Sequence, residues 1–82
     1  MIGLEEAVKI AKERNEKYDG VQEYSDGYCF FIDDGEIREG GADNSIIVEK
    51  GKGQILRFAE YFLSGKYSAV EIGKPKKIAD LL

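Results

Sequence analysis

The chain has 82 residues, 43% of them hydrophobic and 34% charged, a composition that suits one folded α+β domain spanning 1–82 rather than a disordered chain. Its net charge is −4, and it contains no His, no Trp and a single Cys. Those absences exclude a Ser-His-Asp or Cys-His pair, an imidazole metal ligand, an internal disulfide and a thiolate zinc site.

Leu4, Ala7, Val8 and Ala11 recur at helical spacing, and Ile10 widens the apolar stripe. Glu5 and Glu6 suit the positive end of a helix, and Lys12, Arg14 and Lys17 its negative end. With Gly3 as N-cap and Asp19-Gly20 as the stop, the pattern predicts a helix over 3–17. From Val21 the period shortens. Asp26-Gly27 suits a type I′ hairpin turn, and Tyr28-Cys29-Phe30-Phe31-Ile32 is aromatic enough for a central strand. Ser45 to Glu49 reads as a third strand, the Gly51 and Gly53 turn follows, and Gln54 to Phe58 reads as a fourth. A short helix over 58–63 ends at Ser64-Gly65. Residues 66–72 are expected to be extended, with Tyr67, Ala69 and Ile72 facing inward, and Pro75 is expected to open a final helical turn. The resulting architecture is an N-terminal amphipathic helix on an antiparallel sheet of about four strands, with a short helical segment near the C-terminus.

Charge is unevenly spread. Asp19 to Glu49 holds nine acids against one base, a net −8, while the rest holds eleven bases against seven acids, a net +4. Such a segment favours a basic protein partner over nucleic acid or an anionic membrane. The bland alternative is a solvated face that keeps a small protein soluble. If the segment does dock, its contacts are Asp33, Asp34, Glu36, Glu39 and Asp43, with Tyr24 and Tyr28 as aromatic anchors where exposed.

Other chemistries fit less well. Asp33-Asp34-Gly35-Glu36 resembles the start of a calcium loop, but the twelfth position is Asn44 rather than a bidentate Glu. No metal or other cofactor is expected. The Gly40-Gly41 and Gly51-Lys52-Gly53 pairs lack the spacing of a phosphate loop and read as turns. Cys29 is flanked by aromatics and acids, which suits a small strand residue rather than a reactive thiol. Lys74, Lys76 and Lys77 form a basic cluster with no aromatic stacking platform, so nucleic acid is not expected as a partner. The start of the chain turns acidic without the pattern of a signal peptide, and no apolar run reaches about 20 residues, so a cytoplasmic protein without membrane contact is expected.

The helix from Leu4 to Lys12, the aromatic strand Gly27-Tyr28-Cys29-Phe30-Phe31 and the stretch Asn44-Ser45-Ile46-Ile47-Val48-Glu49-Lys50-Gly51-Lys52-Gly53-Gln54-Ile55 follow in order. The last stretch resembles the Pro-Ile-Ile-Val-Asp-Lys-x-x-Gly-x-Ile hairpin of the YrhB-like family, also called the immunity protein 35 family. Ser45 stands where that family has Pro, and Tyr28 where it has Trp. The resemblance implies a small bacterial protein with a helix on an antiparallel sheet and no catalytic motif; many members of that family lie beside polymorphic toxins and are inferred to neutralise them, and others have no assigned role. The alternative expectation is a structural or housekeeping domain that self-associates as a homodimer, with 45–49 as a free edge strand.

Overall fold

The computed structural model describes residues 1–32 and 45–80. Helix α1 spans Leu4–Arg14, followed by strands β1 (Gly20–Tyr24), β2 (Gly27–Phe31), β3 (Ile46–Glu49) and β4 (Ile55–Arg57). Helix α2 (Phe58–Phe62), strand β5 (Glu71–Lys77) and a 3-10 turn at Ile78–Asp80 complete the described chain. The strands form one antiparallel sheet in the order β4-β3-β2-β1-β5.

Period-2 alternation divides the core between the two faces of this sheet. On one face, Val21 lies opposite Phe30, which lies opposite Ile46, and Tyr28 lies opposite Val48. These side chains join Ala7, Val8 and Ala11 of α1, together with Tyr18 and Ile78, in the larger cluster. Two fully covered alanines let the helix axis approach the sheet closely. On the other face, Cys29, Ile47 and Leu56 align across three strands, and Tyr61 of α2 closes over them. β2 and β3 are therefore buried on both faces, which explains their nearly unbroken apolar sequences.

Several expectations need correction. The helix ends three residues early, because Asn15 adopts extended geometry (φ −159°, ψ 110°) and its side chain accepts the Lys17 N–H at 3.0 Å. The turn between β1 and β2 is not type I′, since neither Ser25 nor Asp26 has positive φ and Gly27 is already the first residue of β2. A Cβ on Gly27 would stand 2.9 Å from the Ile47 side chain, so this glycine answers to packing between strands.

The sheet has a fifth strand where the sequence suggested four. Pro75 lies inside β5 instead of opening a helix, and the helical turn begins at Ile78. The register explains how Pro is accommodated: Val21 pairs with Lys76 while Glu23 pairs with Ile72, so β5 carries two extra residues in a bulge. Gly73, at φ 70°, sits in that bulge, and the Gln22 amide donates to its carbonyl at 3.2 Å. Of the residues expected to face inward, Tyr67 is half-buried, but Ala69 and Ile72 are exposed. β3 is an interior strand, not an edge, because β4 covers its outer side.

Candidate functional site

Asp33, Asp34, Glu36, Glu39 and Asp43 lie outside the described residues. They occupy the chain between the end of β2 and the start of β3, so their flanks, Ile32 and Ser45, leave and re-enter the sheet on adjacent strands. The aromatic candidates are described, and they lie on opposite faces. Tyr28 is 6% exposed and belongs to the α1-side cluster. It therefore fails the condition of exposure that an anchor requires. Tyr24 is half-buried on the other face, where its ring meets Phe62 at 5.0 Å and Tyr61 at 6.0 Å in edge-on geometry.

The remaining acids of the segment are largely engaged within the fold. Glu23 pairs with Lys50 at 2.7 Å. The Asp26 carboxylate accepts the Ser68 N–H at 2.6 Å, and Glu49 accepts the Lys52 N–H at 2.6 Å.

Lys50 was not singled out by its sequence context, yet it is 8% exposed as a residue. Its ammonium lies 5.0 Å from the centroid of the Tyr28 ring and against Glu23, which satisfies a charge that burial would otherwise penalise. Its main chain ties the N-terminus and the β1–β2 turn together, accepting from Ile2 N–H at 2.8 Å and donating to Asp26 at 2.9 Å. This arrangement is structural: a cation stitched beneath a turn. No local motif announces it, since Glu23 and Lys50 are 27 residues apart.

A second polar group was also invisible in the sequence. The Tyr61 hydroxyl donates to the Ser68 carbonyl and accepts the Asp26 N–H at 3.2 Å. Ser25 Oγ donates to the same carbonyl at 2.8 Å and meets the Ser68 hydroxyl at 2.6 Å. Burial raises the pKa of Tyr61, so its proton stays in place as donor at neutral pH. Cys29, 7% exposed, has its thiol pushed up to about 11 by the same desolvation, in keeping with a packed strand residue.

The lysines of β5, Lys74, Lys76 and Lys77, are all exposed on an edge strand. Lysine there discourages pairing with another sheet. Among the described residues, no group of three or more His, Cys, Asp or Glu side chains could hold a metal ion, and no helix is long and apolar enough to cross a membrane. No protein-family model, curated protein or solved structure matches the chain.

Proposed function

We propose that this chain is a non-enzymatic binding protein, an immunity protein of the toxin-neutralising kind, that docks a basic protein surface through Asp33, Asp34, Glu36, Glu39 and Asp43. The observation that carries the reading is the segregation of charge. Nine acids and one base fall between Asp19 and Glu49, and three of those acids, Glu23, Asp26 and Glu49, are already engaged inside the fold. The sheet faces are also occupied by the chain itself, so Tyr28 and Ile47 are spent on the core. A partner then meets polar connections rather than a bare sheet face. Clustered carboxylates attract a cationic partner over a Debye length of about 8–10 Å and speed encounter more than they strengthen the final complex. Facing a nuclease toxin, they would stand in for nucleic-acid phosphates.

Self-association receives less support. The stretch 45–49 offers no free edge, because β3 is interior. The outer strands are poor templates, since β4 has three residues and β5 carries a bulge, a proline and three lysines.

The test compares the tagged protein with an Asp33→Lys/Asp34→Lys/Glu36→Lys variant in capture from the host lysate at low and high salt. The expected outcome is a stoichiometric basic protein held by the parent at low salt, released by high salt and not held by the variant. Circular dichroism should show the variant folded. Equal capture by a folded variant would refute the electrostatic mechanism.

A further inference from the structure

Of residues 66–72, Tyr67 is half-buried and the other six are exposed. Tyr67 stacks on Tyr61 at 5.5 Å and 24°, and a cavity of about 130 Å³ lies beside Lys66 and Tyr67 against Leu56 and Glu60. The segment is otherwise fastened by polar contacts at the β1–β2 turn. Ser68 N–H donates to the Asp26 carboxylate, and Val70 N–H to Ser25 Oγ at 3.3 Å. Ser25 N–H returns a bond to the Val70 carbonyl at 3.0 Å, and Glu71 and Ile72 pair with Tyr24 and Glu23.

Both ends of this segment are glycines in the left-handed region, Gly65 at φ 73° and Gly73 at φ 70°, with open space around the position of a Cβ in each case. Just beyond these glycines the chain is firmly held. Tyr61 before Gly65 is fully covered, and after Gly73 comes Ile78, 3% exposed in the main core, with its N–H on the Asp19 carbonyl at 2.8 Å.

We propose that residues 66–72 form a hinged strap, latched by Ser25, Asp26 and Tyr61, which opens as a unit while the rest of the sheet and both helices stay folded. Few apolar contacts and solvent-facing hydrogen bonds are the features that make a segment open below the global unfolding free energy. Opening breaks the bond from the Tyr61 hydroxyl to Ser68, uncovers the Tyr61 ring on which Tyr67 stacks and unpairs β1 at Glu23 and Tyr24. The aromatic face is thereby presented or withheld by the latch.

Amide hydrogen exchange by NMR tests this directly, because the N–H groups of Ser25, Ser68 and Val70 all donate between the strap and the β1–β2 turn. They should exchange through one shared opening, about a hundredfold faster than the amides of Phe30 and Ile47, with a shallower urea dependence. Asp26→Ala should speed the Ser68 and Val70 amides about tenfold. Oxidised Ser25→Cys/Ser68→Cys, joining positions whose hydroxyl oxygens lie 2.6 Å apart, should slow the amides of positions 25 and 68, whose acceptors on Val70 and Asp26 it keeps, to the core rate. Exchange of the latch at the core rate with the core's urea slope would overturn the strap, as would rates that the cross-link leaves unchanged. Should Asp26→Ala fail to fold, the cross-link comparison decides alone.

Discussion

The buried lysine allows an asymmetric prediction. Lys50 and Glu23 lie 2.7 Å apart, with side chains 11% and 38% exposed. At an effective dielectric of about 20 the direct attraction is about 6 kcal/mol, an upper bound because solvent reaches Glu23 and desolvation of Lys50 opposes it. Glu23→Gln keeps the shape but leaves a covered ammonium facing a neutral amide. The Tyr28 ring retains about 0.5–2 kcal/mol of the cation's stabilisation, so the expected loss is about 2 kcal/mol. Lys50→Met removes the covered charge and leaves Glu23 to water, with an expected loss below about 1 kcal/mol. The double variant should match Lys50→Met, giving a coupling equal to the Glu23→Gln loss, about 2 kcal/mol. Urea unfolding followed by far-ultraviolet circular dichroism reads all four proteins. A larger loss for Lys50→Met than for Glu23→Gln would show that the lysine matters for packing and not for its pairing.

Two further predictions concern the face under α2. Ile47→Ala, at a fully covered position of β3, should cost about 2–5 kcal/mol in urea unfolding, and a loss under about 1 kcal/mol would mean that the α2 side is not a packed core. Cys29 should make stability fall with alkalinity. Its thiol titrates near 11 in the folded chain against 9.0 when unperturbed, so the unfolded chain loses its proton first and stability declines as pH rises from about 9 to 11. That contribution is intact below about pH 9, and it amounts to about 2–3 kcal/mol across the window. Cys29→Ala should flatten this part of the pH profile. Tyr18, Tyr24 and Tyr61, all raised by desolvation, would still weaken the fold at higher pH.

The sequence by itself determined the parts of this protein that depend on near neighbours. Helical spacing from Leu4 to Ala11 located α1, and the aromatic run from Gly27 to Phe31 located a strand covered on both faces. The acidity between Asp19 and Glu49 was equally legible, because charge is additive along the chain. What the tertiary structure decided depends on residues far apart in sequence. β5 has no apolar alternation, all seven of its residues being exposed, and it is a strand because β1 offers an edge about 50 residues upstream. Pro75, a helix opener by local preference, is tolerated there because a bulge removes the need for its missing N–H. Gly27 likewise looked like a turn residue until Ile47 was brought against it. Lys50 became a buried cation because folding placed Glu23 and Tyr28 around it. Periodicity records which side of an element faces the core; it carries no record of which distant backbone or charge will meet that element.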